Sequence, residues 1–331
     1  MRRRLALALA LALTIVALGC KGGPKPEASG GDAAATAPTR VKVQLNRVPE
    51  PGFGGLYAAR ELGAYTRAGL DVDIVGGGPG SPVVQLVASG QADFAVAGAD
   101  DVVVARSRGA DLVAVFGTFQ TSPQGIMVHA GKNLASLADL KSGTLALEPG
   151  LPFGMYLKKK FGFAGAKLVP YDGGIAKFLA DPTYAQQCYV TSEPLAVKKK
   201  GETPLVFLGA DAGFNPYTNI LVTRGAMLKE KLPLVRAFVA ASAEGWRAYL
   251  KDPAQANAVM ARLNTAMDAE TFAAAAAAQR PLIETAETAK AGLGVMTEAR
   301  WTTLASQLAD LGVVPKALPA NEYFTVVSPP Q

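Results

Sequence analysis

The chain has 331 residues, of which 50% are hydrophobic and 18% are charged, and its formal net charge is +6. A chain of this length exceeds the usual size of one hydrophobic core, so two folding units are expected. The charge bias is weak, and the basic clusters beyond the N-terminal arginines, residues 158–160 and 198–200, are expected on solvated helix faces. This pattern does not favour a nucleic-acid partner.

The N-terminal segment has the features of an export signal. Three arginines at residues 2–4 precede an apolar run at residues 5–16, which is too short for a membrane span. The segment ends in Gly19-Cys20, which resembles the lipobox of bacterial lipoproteins, although residues 17 and 18 depart from its usual pattern. We predict a signal peptide at residues 1–19 and lipidation of Cys20. The alternative is a plain cleaved signal with an incidental cysteine.

A flexible tether is predicted at residues 20–40, because this stretch is rich in Gly, Pro, Ala and Ser. Without the three arginines of the leader, 30 basic residues stand against 27 acidic ones. Cys188 is the only cysteine besides Cys20, so the mature body has no intrachain disulfide. We therefore expect an exported protein, periplasmic or at the cell surface, that lipid holds at a membrane.

From residue 41 onward, short apolar strands alternate with amphipathic helices, a pattern typical of parallel sheets flanked by helices. In residues 41–120, a first lobe, we predict strands at 41–45, 70–75, 93–97 and 112–118 and helices at 54–67 and 100–108. A further predicted helix carries residues 83, 84 and 87 and is capped by Ser81. In residues 121–214, a second lobe, strands are predicted near 125–129, 144–147, 167–171, 187–191 and 204–208. In residues 215–331, the strand 218–223 returns to the first lobe, and helices follow at 232–251, 252–263, 268–279 and 296–311.

Two segments of the first lobe resemble a known family. GFGGLYAARELGAYTRAGLDVDI, residues 52–74, and ASGQADFAVAGADDVVVARSRGADLVAV, residues 88–115, are similar to ABC-transporter substrate-binding proteins related to thiamine-pyrimidine synthase. Bacterial members carry pyrimidine precursors, riboflavin, sulfonates such as taurine, or nitrate. The resemblance implies an α/β type II periplasmic binding fold: two lobes joined by two hinge strands, with C-terminal helices on the first lobe. Residues 188–194 and 214–223 resemble the pyrimidine-precursor and riboflavin branches most.

In open α/β sheets, ligands bind beyond the carboxyl ends of the strands. This rule predicts a ligand site made of Asn46, Phe53, Tyr57, Gly78, Ser81, Thr118, Gln120, Phe153, Glu193, Asn215, Tyr217 and Asn219. Asn46 would present an amide to a ring, or only tie the following turn. Phe53 and Tyr57 would cover a flat heterocycle, or pack beneath the loop.

Several polar residues near these strand ends admit two interpretations. The glycine-rich loop at residues 76–81 offers backbone donors to an anion, or is simply a turn. Glu193 would accept hydrogen bonds from an aminopyrimidine, or only stabilise the start of a helix. Arg47 is expected in solvent, although an inward orientation would serve an anion. Asp100 and Asp101 are expected to cap a helix.

The residues available for catalysis are few. His129 is the only histidine, and we expect it to be packed on an apolar strand without a metal partner. Cys188 lacks an activating neighbour and is expected to be buried and inert. No Ser-His-Asp set, metal site or pair of catalytic carboxylates is predicted, and no cofactor. The yeast synthases that resemble this group use a cysteine-rich iron motif and a reactive histidine, which this chain does not match.

We therefore predict a monomeric solute-binding component of an ABC importer. Its lobes would close on a small planar heterocycle, such as hydroxymethylpyrimidine or formyl-aminopyrimidine, without altering it. Its partners would be the permease, the ATPase and, through the lipid, the membrane. The alternatives are a binding protein for riboflavin or for a sulfonate or nitrate anion, and a pyrimidine-synthase-type enzyme.

Overall fold

The structure is a computed structural model, which describes residues 37–327 except Pro79 and Asn133. The predicted signal peptide, Cys20 and most of the predicted tether lie outside the described residues. The strands are β1 (Thr39–Gln44), β2 (Leu70–Val75), β3 (Phe94–Ala97), β4 (Val113–Phe119), β5 (Gln124–His129), β6 (Thr144–Leu147), β7 (Lys167–Pro170), β8 (Tyr184–Tyr189), β9 (Pro204–Leu208) and β10 (Thr218–Thr223).

The first sheet has the strand order β2-β1-β3-β10-β4. Strands β1, β2 and β3 are parallel, whereas β10 runs antiparallel between β3 and β4. In β2, Val72 and Ile74 are buried while Asp71 and Asp73 are exposed, as the alternation of apolar and polar residues requires. Charged side chains on such an edge strand also discourage pairing with another chain.

The second sheet has the order β7-β6-β8-β5-β9, in which β5 is antiparallel to both of its neighbours. The chain passes from the first sheet to the second between Phe119 and Gln124, and returns between Leu208 and Thr218. Two crossings therefore join the sheets, and the α/β fold with two lobes is confirmed. The predicted domain boundaries at residues 40/41, 120/121 and 214/215 stay predictions.

Helices cover both sheets. They are α1 (Gly54–Glu61), α2 (Ala64–Arg67), α3 (Val83–Ala88), α4 (Ala99–Ser107), α5 (Pro152–Phe161), α6 (Ala176–Ala180), α7 (Glu193–Lys199), α8 (Gly225–Glu230), α9 (Leu232–Lys251), α10 (Ala254–Leu263), α11 (Ala269–Ile283), α12 (Ala286–Ala291) and α13 (Glu298–Asp310). Among these described helices, none is long and apolar enough to cross a membrane.

The C-terminal helices pack on the first lobe, and the tightest contact joins α1 to α9. Gly54 and Gly55 lie directly beneath the rings of Tyr249 and Trp246, where a Cβ atom on either glycine would overlap the ring. Close packing of this kind leaves α1 little freedom to shift. Because the loop after β1 leads straight into α1, this contact fixes one wall of the space between the lobes.

Some local predictions are wrong. The predicted helix 54–67 is broken at Gly63, whose φ of 69° is in the left-handed region that glycine adopts readily. Ser81 does not cap α3: Pro82 takes the N-cap position, and the Ser81 hydroxyl accepts the Gly78 N–H at 2.7 Å. The region after Gly225 contains two further short helices, α8 and α12.

Candidate functional site

A cavity of about 190 Å³ lies between the two sheets, at the strand ends that parallel sheets use for ligands. The loops after β1 and β3 line it from the first lobe, and the loop after β8 lines it from the second. Helix α11 adds Ala275. The polar and aromatic residues of the lining are Asn46, Arg47, Glu50, Asp100, Asp101, Phe119, Gln124, Tyr189, Thr191, Ser192, Thr218 and Asn219.

Asn46 lies two residues after the end of β1. Its side-chain carbonyl oxygen, Oδ1, is a buried hydrogen-bond acceptor without a partner among the described residues. A buried carbonyl oxygen left in this state costs about 1–3 kcal/mol. Asn46 lines the cavity, but water does not reach its Oδ1, so the side chain must rotate before a guest N–H can bind this acceptor.

Arg47 and Glu50 form an ion pair at the mouth of the cavity, with Nε 3.4 Å from Oε1. Half of the Arg47 side chain is exposed, against 22% for Glu50. The Glu50 carboxylate raises the pKa of Arg47. Burial raises the pKa of Glu50 in spite of the nearby guanidinium, since the half-exposed arginine does not offset the loss of water around the carboxylate.

Two further carboxyl groups, those of Asp100 and Asp101, enter from the first turn of α4. Gly98 takes the N-cap position, and its N–H donates to Asp101 Oδ2 at 3.0 Å. A Cβ atom on Gly98 would overlap the Asp100 carboxylate in its present position, so a larger residue there would displace this side chain. Burial, and then the charge of Asp101, raise the pKa of Asp100 to about 7. The pKa of Asp101 is also raised by burial, so this pair of carboxyl groups takes up a proton more readily than exposed aspartates do.

Tyr189, at the end of β8, supplies an aromatic ring to the cavity from the second lobe. The Arg47 guanidinium lies over this ring, 5.7 Å from its centroid, so a cation–π contact bridges the two lobes. Burial raises the pKa of the Tyr189 hydroxyl, which stays a neutral donor and acceptor at physiological pH. The ring offers a face to a flat guest and can supply a hydrogen bond at its edge.

Asn219 closes the cavity beside the return strand. Its backbone has a φ of 51°, a left-handed conformation that asparagine tolerates better than most residues. Its Nδ2 atom donates to the Gly52 carbonyl at 2.9 Å. A Cβ atom on Gly52 would come within 2.6 Å of that nitrogen, so this contact needs glycine. Asn219 thus connects the return strand to the loop after β1.

A wider groove of about 670 Å³ adjoins the cavity and runs along α4. The two spaces share Asn46, Asp100, Asp101 and Leu151. Ser81 and Gly80, from the loop after β2, line the groove and not the cavity. The glycine-rich loop that the sequence indicated therefore borders this second space.

Comparison with known proteins places the chain in a family. The model described as "NMT1/THI5 like" matches residues 50–256, more than half of the chain. The chain belongs to the NMT1/THI5-like family. The resemblance inferred from residues 52–74 and 88–115 is thereby confirmed.

Two relatives of this family member have named ligands. The chain is 28% identical over 225 residues to a formylaminopyrimidine-binding protein of Halalkalibacterium halodurans, over 65% of this chain and 68% of the relative. It is 26% identical over 228 residues to the riboflavin-binding protein RibY of Chloroflexus aurantiacus, over 66% of this chain and 64% of that relative. The matched region thus spans about two thirds of each relative.

Solved structures share the fold. The periplasmic aliphatic sulphonate binding protein SsuA from Escherichia coli is similar with a TM-score of 0.68 at 17% identity, over 89% of this chain and 94% of that one. The desulfurization enzyme DszB is similar with a TM-score of 0.61 at 13% identity, over 87% and 97%. At these identities the likeness shows the periplasmic binding protein fold alone, and this fold carries both binding proteins and an enzyme.

The structure of this NMT1/THI5-like chain brings only part of the predicted site together. Asn46 and Asn219 line the cavity, and Ser81 lines the groove. Gly78 lines neither, although its N–H holds the Ser81 hydroxyl. The remaining predicted residues lie elsewhere.

The aromatic residues predicted to cover a ligand are in the hydrophobic core. Phe53 and Tyr57 are 1% and 0% exposed and pack in the core of the first lobe. Phe153 is likewise buried and packs against Gly209. Thr118 is buried in β4, behind the cavity and outside its lining. The helix start at Gly54 was predicted well, but Phe53 and Tyr57 face the core in which α1 packs against α9.

The residues predicted from the hinge support the crossings instead. Gln120 donates to the Gly117 and Val295 carbonyls at 3.0 Å each. Asn215 accepts the Ser122 N–H at 2.8 Å. Asn215 also receives two hydrogen bonds from Arg300, whose guanidinium stacks 3.8 Å from the ring centroid of the buried Tyr217. The first crossing is thereby tied to the second.

Glu193 is held within the second lobe and does not line the cavity. Its Oε1 accepts the Tyr171 hydroxyl at 2.7 Å, and its Oε2 accepts the Tyr189 N–H at 2.8 Å. Burial, followed by the Glu193 charge, raises the pKa of Tyr171. With both oxygens occupied by protein donors, Glu193 orients the loop that carries Tyr189.

His129 and Cys188 make contacts within the second lobe. The His129 ring stacks on Phe178 with centroids 4.0 Å apart, and its Nε2 lies 2.9 Å from the Phe178 carbonyl oxygen. It ends β5 and does not begin it. Burial raises the pKa of Cys188 well above its ordinary value, so its thiol stays protonated. Within residues 37–327, no three His, Cys, Asp or Glu side chains are arranged to hold a metal ion.

Sequence reasoning did not select the residues that give the cavity its chemistry. Asp100 and Asp101 were assigned to a helix cap, and Tyr189 was not considered. The cap expected of Asp101 is present, since its Oδ2 accepts the Gly98 N–H, whereas Asp100 does not take the N-cap position. One signal was available for Asp100: a glycine directly before a helix can itself take the N-cap position. No signal in the sequence distinguishes Tyr189 from other strand-end residues.

Proposed function

We propose that the protein is the solute-binding component of an ABC importer and that it captures an aminopyrimidine or a similar nitrogen heterocycle between its lobes. The fold and the family support a binding protein. The formylaminopyrimidine-binding relative supports this class of ligand. The site residues that we propose are Asn46, Asp100, Asp101 and Tyr189, with Asn219 and Glu50 at the edge.

The observation that carries this proposal is the charge of the cavity. Three carboxyl groups, those of Glu50, Asp100 and Asp101, line the cavity, against one guanidinium, that of Arg47. Such a surplus of acid attracts donor-rich or cationic groups and repels anions. A sulfonate or nitrate would meet like charge there, so we consider these anions weaker candidate ligands than the heterocycles.

An aminopyrimidine matches the polar groups of the lining. Its exocyclic amino group and a protonated ring nitrogen form a donor pair, which a carboxylate such as that of Asp100 accepts in a charge-assisted arrangement. Asn46 Oδ1 would take a further N–H. The ring would lie against Tyr189, a contact of about 1–3 kcal/mol in base stacking.

The isoalloxazine of riboflavin is the alternative heterocycle. It is larger than one ring and would need the groove as well as the 190 Å³ cavity. The RibY relative supports this alternative. Both ligands share imine and amide nitrogens on a flat ring, so the choice depends on size.

Isothermal titration calorimetry tests the proposal, with hydroxymethylpyrimidine, formyl-aminopyrimidine, riboflavin and taurine as ligands. We expect heat from the pyrimidines, and a tenfold or larger loss of affinity in Asp100→Asn. Glu202→Gln is the matched control, since this exposed carboxylate lies outside the cavity lining. Tight taurine binding without response to any heterocycle would overturn the choice of ligand.

An enzyme on this fold is the second candidate, because DszB shares the fold. A pyrimidine-synthase-type reaction would consume side chains of the chain itself. Incubation with pyridoxal phosphate and iron, followed by intact mass measurement, tests this candidate. We expect unchanged masses for the protein and for the recovered pyrimidine, whereas an altered mass for either would favour an enzyme.

Export, lipidation at Cys20 and delivery to a permease complete the proposal. The supporting features are the arginine-led apolar leader and Gly19-Cys20. Metabolic labelling with an alkynyl fatty acid in a bacterial host tests the anchor: we expect label on the unaltered chain and none on Cys20→Ala. Label on both, or on neither, would contradict lipidation at this residue.

A further inference from the structure

The face of α4 that borders the groove carries a charge gradient. Residues 100, 101, 104, 105 and 108 recur at helical spacing and all line the groove. Asp100 and Asp101 stand at the end shared with the cavity, Val104 and Ala105 in the middle, and Arg108 at the far end. At a rise of about 1.5 Å per residue, the acids and Arg108 are separated by about 12 Å along the helix.

Apolar residues line the groove from both lobes, beside the polar side chains of Ser81 and Gln85. Helix α3 contributes Val83 and Val84, and the second lobe contributes Leu151. Val313, which follows α13, closes the outer part. A chain of carbon atoms or a second ring would bury apolar surface here, at about 25 cal/mol per Å².

The arginine at the outer end, Arg108, is exposed and pairs with no acid in the part of the chain that the structure describes. Its neighbour Arg106, by contrast, pairs with Asp111 and Glu322. The C-terminus of α4 itself carries partial negative charge, so an anion at this place depends on the Arg108 side chain.

We propose that the site takes heterocycles with an elongated tail, whose ring lies in the cavity and whose tail follows α4 to an anionic end at Arg108. This inference rests on the proposed function and extends it, since it names the shape and charge of the ligand beyond the ring. The groove is more than three times as large as the cavity and shares four lining residues with it, so a single ring in the cavity would leave the adjoining groove unfilled.

Calorimetry with three probes that share one aminopyrimidine ring tests the proposal on the full chain. The probes are hydroxymethylpyrimidine, thiamine and thiamine monophosphate, which end in a hydroxyl, a hydroxyethyl-thiazolium and a phosphate. We expect thiamine monophosphate to bind at least tenfold more tightly than thiamine. Arg108→Ala should remove this difference and change the affinity for hydroxymethylpyrimidine by less than twofold.

Two further variants separate the tail from the charge. Val104→Trp should weaken both extended probes at least fivefold by filling the groove, with the single ring unaffected. Arg262→Ala is the matched control, since Arg262 is also an exposed arginine in the last turn of a helix, away from both spaces. Circular dichroism of each variant establishes that it is folded.

The outcomes distinguish this inference from the proposed function. Equal affinity for thiamine and its phosphate, or the same response in Arg108→Ala and Arg262→Ala, would overturn the tail proposal while pyrimidine binding stands. Failure of all three probes and of riboflavin to bind would overturn the proposed function and the tail together.

Discussion

The two lobes use their acidic residues in opposite ways. In the first lobe, Asp100 faces the cavity with a pKa of about 7, and the Asn46 carbonyl oxygen next to it has no partner among the described residues. In the second lobe, Glu193 stands at a comparable strand end, but Tyr171 and the Tyr189 backbone occupy both of its oxygens. Two carboxylates at comparable strand ends thus differ in the hydrogen bonds that they already make within the protein, and this difference underlies the proposal that Asp100 serves a ligand and Glu193 does not.

The largest expected effect is on ligand affinity in the first lobe. In the double variant Asp100→Asn/Asp101→Asn, calorimetry should show a loss of about 10- to 100-fold for an aminopyrimidine, since a charge-assisted hydrogen bond contributes about 1.5–3 kcal/mol. Glu202→Gln should bind like the unaltered chain. Unchanged affinity in the double variant would show that Asp100 and Asp101 do not bind the ligand.

The second lobe should respond through stability. Glu193→Gln places an amide where the Tyr189 N–H and the Tyr171 hydroxyl both need acceptors, so the free energy of unfolding should fall by about 1–2 kcal/mol. Urea unfolding measures this loss. Tyr171→Phe removes one of the same bonds and should show a smaller loss. A tenfold loss of affinity in Glu193→Gln with normal stability would give Glu193 a ligand role.

The ionisation of Asp100 should oppose stability and favour binding. Because its folded pKa lies near 7, above its ordinary value of 3.8, the folded state holds a proton that the unfolded state releases. The free energy of unfolding without ligand should therefore fall as pH rises between about 4 and about 7, on the order of 1 kcal/mol given partial exposure.

Asp100→Asn should flatten this dependence and raise stability at pH 8, while aminopyrimidine affinity falls. Urea unfolding and calorimetry at pH 5.5 and 8 measure both quantities. Asp310→Asn, an exposed acid outside the cavity, should retain the dependence. A profile that is equally steep in Asp100→Asn would assign the titration to another group.

The smallest expected effect concerns an ion pair between the lobes. Lys199 of α7 donates to both carboxylate oxygens of Asp268 at 2.7 and 2.8 Å, at the N-terminus of α11, whose Ala275 lines the cavity. Lys199→Ala should weaken ligand binding by no more than about fivefold, as exposed pairs contribute about 0.2–1 kcal/mol.

Salt sharpens this prediction. Because both partners are partly exposed, 0.5 M NaCl should abolish the difference between Lys199→Ala and the unaltered chain. Lys200→Ala, one residue on and exposed, is the matched control. A loss that persists in salt would assign Lys199 a role in packing.

Much of the fold could be predicted from the sequence, because the spacing of apolar residues and the positions of Gly and Pro determine helices and strands locally. Alternation fixed β2 at residues 70–75, and the long amphipathic pattern fixed α9 at 232–251, both as observed. Gly63 was not recognised as a break, since one glycine within a helical pattern is often tolerated. Ser81 was predicted as the N-cap of α3, but Pro82 takes that position. The Ser81 hydroxyl instead accepts the Gly78 N–H and closes the turn before the helix.

The candidate site could be predicted only in part. The strand-end rule selected Asn46 and Asn219, whose backbone positions alone bring them to the cavity. It could not tell which way Phe53 and Tyr57 point, because that depends on the packing of α1 against the distant α9. It also could not see that Gly98 caps α4 and leaves Asp100 in the cavity, or that Tyr171 engages Glu193.

A crystal structure of the full chain soaked with hydroxymethylpyrimidine at pH 8 tests the central claim most directly, namely that the acidic cavity between the sheets holds the ring. We predict density for the ring against Tyr189, with its amino edge within 3.2 Å of an Asp100 or Asp101 oxygen and an N–H on Asn46 Oδ1. Density for the ring outside this cavity, or an anion bound at Asp100 in its place, would contradict the account.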